Sequence, residues 1–173
     1  MSDNKKKEIK SGVITGLQST DINVFSGCIS QLKKGGKTED IQVLLDLLLD
    51  QKNKEINNLI LKFLADVKDK SAVEIITAAI SNAKYAAIKK NLLITCWESS
   101  LDFGEYLSIF VDCLIHSDFE TAFEAFTVIE NLTESISDKV KQKQQEKLKN
   151  AIAESNEDKK GILHEAIHIL DQH

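Results

Sequence analysis

Residues 38–68 read TEDIQVLLDLLLDQKNKEINNLILKFLADVK, two apolar helical runs joined by a short polar corner. In the first run Ile41, Leu44, Leu45, Leu48 and Leu49 recur at spacings of three and four, which puts them on one helical face. Ile56, Leu59, Ile60, Phe63, Leu64 and Val67 do the same in the second. The corner Asp50-Gln51-Lys52-Asn53 has counterparts at Ser81-Asn82-Ala83-Lys84, Ser117-Asp118-Phe119-Glu120 and Ser155-Asn156-Glu157-Asp158, spaced 31 to 38 residues apart. Each corner closes one amphipathic run and opens another, so the repeating unit is a pair of helices. Periods of this length belong to helical-repeat arrays, whose units bury their apolar faces by stacking on their neighbours.

Working outward from this pair, the spacing predicts a first pair over Lys5–Gln18 and Asp21–Lys34. Its stripes are Ile9, Val13 and Leu17, then Val24, Cys28, Ile29 and Leu32. Asp21 is the expected N-cap of the second helix, and Gly35-Gly36 is expected to end it through left-handed backbone conformations. The third pair is predicted over Ser71–Asn82 and Lys84–Glu98, with Ser71 and Glu74 at capping-box spacing. Leu92-Leu93-Ile94-Thr95-Cys96-Trp97 is apolar nearly all round and marks a helix covered on several sides. After the loop Ser99–Asp102, a fourth pair is expected over Phe103–Ser117 and Asp118–Thr133, where Phe119, Phe123 and Phe126 fall at core spacing. The last pair is Ser137–Ser155, with a narrow stripe of Val140, Leu148, Ala151 and Ile152, and Lys159–Leu170. The polar penultimate helix is what the solvated end of a stacked array needs. The whole chain, 1–173, is thus expected to be one all-α domain with units at about 5–36, 38–68, 71–99, 103–133 and 137–170.

Composition agrees with this reading. At 173 residues the chain suits one domain. It has no proline, against roughly nine expected at an average usage of about 5%, and only 7 glycines. Helix interiors exclude proline and loops accept it, so the chain reads as mostly helix with short connections. All 22 basic residues are lysine. Arginine's planar fork is the usual means of gripping phosphate, so its absence and a net charge of −5 disfavour nucleic acid as a partner. No apolar core follows the basic residues of Met1–Lys10, and the longest apolar run, Leu44–Leu49, is too short for a membrane span. Cys28, Cys96 and Cys113 lie inside helical patterns without a CxxC spacing, as expected of buried free thiols in a cytoplasmic protein.

The helix-pair blocks and corners from about Thr38 to Leu170, with Lys5–Lys34 as a first unit, resemble the HEAT/armadillo-like α-solenoids. The chain lacks that pattern's first-helix proline and its Asp–Arg ladder. The resemblance implies a right-handed α-α superhelix of about five antiparallel pairs. It also implies a non-enzymatic scaffold that binds other proteins along the surface of its second helices. The exposed positions expected there are Asn58, Lys62, Lys89, Lys90, Glu120, Glu124 and Thr127. The alternative function is a nucleic-acid-binding or processing solenoid.

Two local signals bear on chemistry. His164-Glu165-Ala166-Ile167-His168 matches H-E-x-x-H, in which two histidines one turn apart share a zinc ion and the glutamate acts as base. Only five residues follow His168, and the apolar positions Leu163, Ala166, Ile167 and Leu170 turn the histidines to the solvated side. His164 and His168 are therefore a weak metal pair at most, and no cofactor is expected. His116 with Glu120 and Glu124 is a second conceivable metal set, without the repeated Glu-x-x-His of di-iron bundles. Charge is the other signal. Residues 101–136 hold eight acids and no lysine, while residues 1–37 hold seven lysines against three acids. Such asymmetry suits a basic protein partner, or self-association of the basic end of one copy with the acidic stretch of another.

Overall fold

A computed structural model describes residue 13 and residues 15–133 and 136–172. Among the described residues there are nine α-helices, two short 3-10 segments and no strand. The helices are α1 Ile22–Gly35, α2 Thr38–Asp50, α3 Lys54–Asp66, α4 Ser71–Ser81, α5 Lys89–Glu98, α6 Leu107–His116, α7 Phe119–Glu130, α8 Asp138–Ile152 and α9 Glu157–Gln172. The 3-10 segments, Ala83–Ile88 and Gly104–Tyr106, lead into α5 and α6. The fold is all-α, and no described helix is long and apolar enough to cross a membrane. Most of the expected helix Lys5–Gln18, with Ile9 and the lysines 5–7, lies outside the described residues; Val13 and Leu17 at its end are buried.

The polar corners have a common job. At each, one Asn or Asp side chain accepts a hydrogen bond from a free backbone N–H at the start of the next helical segment. Asn53 receives Glu55 N–H at 2.9 Å, Asn82 receives Lys84 N–H at 2.9 Å, Asp118 receives Thr121 N–H at 3.0 Å and Asn156 receives Lys159 N–H at 3.0 Å. Asp21 does the same for Asn23 at 2.8 Å, as expected. The first N–H groups of a helix have no partner within it, so a short acceptor there both starts the helix and fixes the turn before it.

The chain divides into two compact units, residues 1–72 and 73–173, with the division just inside α4. In the first unit α3 packs against α1 and α2, burying Phe25, Leu44, Leu45, Ile56, Ile60 and Leu64. In the second, α6 packs on α7 and α8 packs on α9, the two expected helix pairs. The second helices α5, α7 and α9 are neighbours in that order, and the first helices α6 and α8 touch each other. Contacts between elements two apart in sequence are compatible with stacked helix pairs. Phe110, Leu92, Leu93 and Leu107 are enclosed here, and Phe110 meets Phe103 edge-on at 6.1 Å between ring centroids. Lys159, at the start of α9, donates to the carbonyls of Ile115 and Ser117 at 2.7 and 2.5 Å. It supplies donors and positive charge to carbonyls at the C-terminal end of α6.

Several local expectations are corrected. The glycine pair does not use left-handed backbone: no described glycine has positive φ, and Gly36 is extended at φ −65°, ψ 158°. Its need for glycine is steric, since a Cβ there would lie 2.6 Å from the carbonyl oxygen of Leu32, which accepts the Gly36 N–H at 2.7 Å. At the start of α4 the carboxylate of Asp69 accepts both the N–H and the hydroxyl of Ser71, at 3.0 and 2.7 Å. The Ser71 hydroxyl is in turn 2.8 Å from that of Thr38, tying the starts of α2 and α4. Lys84–Ile88, expected as α-helix, is part of a 3-10 segment.

Three stripe positions are also corrected. Val24 is 47% exposed and Phe25 takes its place in the core, because successive residues turn by about 100° around a helix and Phe25 is the one in phase with Cys28, Ile29 and Leu32. Val140 is 39% exposed; each four-residue step rotates about 40° beyond a full turn, which carries Val140 away from the buried Leu148. Gln144 occupies the buried position between them, 2% exposed, and its Oε1 has no hydrogen-bond partner. Phe123 is the third, at 47% exposure.

Candidate interaction surface

Helix α7 is amphipathic in an unusual sense. Ala122, Ala125, Val128 and Ile129 already form a complete buried stripe, and this leaves Phe119 and Phe123 outside it at 46% and 47% exposure. They were expected as core packing. Their rings lie one turn apart with centroids 6.4 Å from each other and planes tilted by 34°. Phe126, buried, continues the row at 6.2 Å from Phe123. Among the described residues the large apolar side chains exposed to this degree are Val24, Phe119, Phe123 and Val140, and the two phenylalanines lie next to each other.

The flank of this aromatic pair is pinned to α5. Lys90 Nζ lies 2.6 Å from Glu120 Oε2, and the hydrogen bond with that carboxylate holds the Lys90 amine above its ordinary pKa. One turn on, half-buried Trp97 donates its indole N–H to Glu124 at 2.9 Å. Thr127 bonds back to the carbonyl of Phe123 at 3.0 Å. Asp118 accepts the N–H and the hydroxyl of Thr121, both at 3.0 Å, and the backbone bond is the largest cause of its lowered pKa. The structure therefore gathers Lys90, Glu120, Glu124 and Thr127 on adjoining faces of α5 and α7, with half-buried Lys89 beside Lys90 in the chain. Asn58 and Lys62 belong to α3 in the first unit, where both are exposed.

Glu120 is paired with Lys90 and Glu124 with Trp97, and among the described residues the conceivable metal set with His116 is not assembled. His164, Glu165 and His168 are all exposed on α9 while Leu163, Ala166 and Leu170 are buried. The Nε2 of His168 lies 2.8 Å from the side-chain nitrogen of Gln172. Among the described residues no group of three or more His, Cys, Asp or Glu side chains is placed to hold a metal ion.

Each unit also carries a cleft. One, of about 340 Å³, lies in the first unit among Leu32, Ile41, Phe63 and Val67, with the ion pair Lys33–Asp66 at 2.7 Å on its rim. The other, of about 410 Å³, lies in the second unit between α6 and α8 and carries the pair Lys147–Asp112 at 2.9 Å. The three cysteines are buried and free. Burial raises the thiol pKa of Cys96 and Cys113, so neither is poised as a thiolate nucleophile.

No protein-family model and no curated protein matches this sequence.

Proposed function

We propose that this chain is a non-enzymatic protein-binding scaffold of the HEAT/armadillo-like helical-repeat type, acting in the cytoplasm. Its contact surface is the outer face of α7 with the adjoining edge of α5. The exposed Phe119–Phe123 pair carries this reading. Two neighbouring aromatic rings held half in water cost hydrophobic free energy, and helix α7 has a sufficient buried stripe without them. Aromatic side chains ringed by ordered polar groups are the usual centre of a protein interface. The neighbour contacts of α5, α7 and α9 fit the way such repeats display their second helices, and the buried free thiols suit a reducing compartment.

The test is a quantitative comparison of the proteins that co-purify with the full chain and with a Phe119→Ser/Phe123→Ser double variant of equal helicity. Specific partners retained by the parent protein should be lost from the variant. Identical partner sets at identical yield would refute the assignment of this surface.

A further inference from the structure

We infer that the α7 face receives a basic amphipathic helix, one that sets an aliphatic pair against Phe119 and Phe123 and lays lysine or arginine over the flanking carboxylates. The inference rests on the scaffold reading above and names the chemistry of the partner.

Shape comes first. Two rings at i and i+4, 6.4 Å apart and backed by Phe126, form a short apolar ridge along a helix. The complement of such a ridge is a partner helix with apolar anchors at the same spacing, the usual geometry of helix-to-helix recognition.

Charge then selects among such helices. Around the ridge α7 carries Glu120, Glu124 and Glu130 and no lysine, and Asp118 precedes it. Glu120 is ion-paired with Lys90. Glu124 and Asp118 are held by donors that carry no charge, the Trp97 indole and the N–H and hydroxyl of Thr121. These bonds fix the two carboxylates in place; the Lys90 ammonium also acts electrostatically on both, and Lys159 on Asp118, so their charge is offset in part. Glu130 is exposed on the same helix. The asymmetry extends to the whole second unit, where ten lysines face seventeen acids, while the first unit has twelve lysines and ten acids. An acidic rim around an aromatic ridge repels nucleic acid and acidic segments, and it speeds encounter with a basic one.

The test uses the full chain and a pair of synthetic helical peptides of about 18 residues, or five turns. Both carry leucine at i, i+3, i+4 and i+7. One fills its polar face with lysine and the other with glutamate. Binding is read by fluorescence anisotropy between about 50 mM and about 500 mM salt, which shortens the screening length several-fold. The basic peptide should bind about tenfold or more tightly than the acidic one and weaken with salt. Phe119→Ser/Phe123→Ser should reduce its affinity by about tenfold or more. Glu130→Lys, an exposed substitution that leaves the core untouched, should reduce it by about threefold.

Equal binding of the two peptides, or no binding of the basic one, overturns the basic-helix inference. In either case the scaffold reading is judged separately by the co-purification comparison. Binding of the basic peptide that is indifferent to both the phenylalanine and the Glu130 substitutions overturns the inference and removes α7 as the surface. Light scattering supplies a further outcome: self-association abolished by the double serine variant would make the occupant a second copy of this chain and overturn the inference as well.

Discussion

Helices α7 and α8 follow one another in the chain and share a compact unit, yet they mis-assign their side chains in opposite directions. Helix α7 has more apolar surface than its core needs, so Phe119 and Phe123 are left half in solvent. Helix α8 has too little. It encloses Leu148 completely, but it also buries Gln144 with an unpaired oxygen while Val140 faces water. A helix short of apolar residues has a simple explanation as a solvated element held by few anchors. A helix with a surplus on its outer face does not, because packing alone gives no reason to keep two phenylalanines exposed. On the function proposed above, the difference separates what the fold requires from what the surface is kept for.

The comparison is most easily broken at α8's anchor. Leu148→Ala should destabilise the protein by about 3 kcal/mol, the usual cost of removing a fully enclosed leucine, as read by urea denaturation. A loss under about 1 kcal/mol would mean that α8 is not held by this residue. At α7's surplus, Phe119→Ser/Phe123→Ser should cost about 1 kcal/mol per ring, well below the cost of a core phenylalanine, because each ring is only about half withdrawn from water. At the start of α7, Asp118→Ala should cost about 1 kcal/mol by removing the N-cap. The acid response of this site has a defined sign. The carboxyl of Asp118 is held below its ordinary value of 3.8 in the folded protein. Its contribution is therefore complete above that ordinary value and is lost as pH falls through the lower folded value. Asp118→Asn keeps an acceptor at the cap and should remove this residue's share of the acid destabilisation, which parallel urea titrations at acid and neutral pH will show. Gln144→Leu should raise stability by about 0.5–1 kcal/mol, because it replaces a buried, incompletely bonded amide by an apolar group; a loss instead would show that the amide is satisfied in solution.

Much of this architecture was readable from apolar spacing and polar corners. Helix pairs turn at Asn53, Asn82, Asp118 and Asn156 because a short side-chain acceptor meets unpaired N–H groups there, and that chemistry is local. What spacing could not decide was phase at the edge of a stripe. Val24, Phe123 and Val140 each sit close enough to a core row to look buried, and small differences in helical phase settle whether the neighbouring helices cover them. The surplus on α7 did leave a signal. Residues 119, 122, 123, 125, 126, 128 and 129 are all apolar, more than one helical face holds, so part of that set had to face outward. Charge was readable only as a total. The eight acids of 101–136 gave no hint that Glu120 would pair with Lys90 and Glu124 with Trp97, since these contacts span 30 and 27 residues of sequence. Nor could spacing show that Gly36 is required by the Leu32 carbonyl, because that closeness exists only once α1 has formed.

On the proposed function, Phe119 and Phe123 serve binding and not folding. The most direct measurement takes the double serine variant through urea denaturation and partner capture in the same preparation. The expected result is a loss of unfolding free energy of no more than about 2 kcal/mol, the share of two half-exposed rings, together with loss of the specific partners. A drop of more than about 4 kcal/mol, as for core phenylalanine truncations, with capture unchanged among the molecules that remain folded, would contradict it.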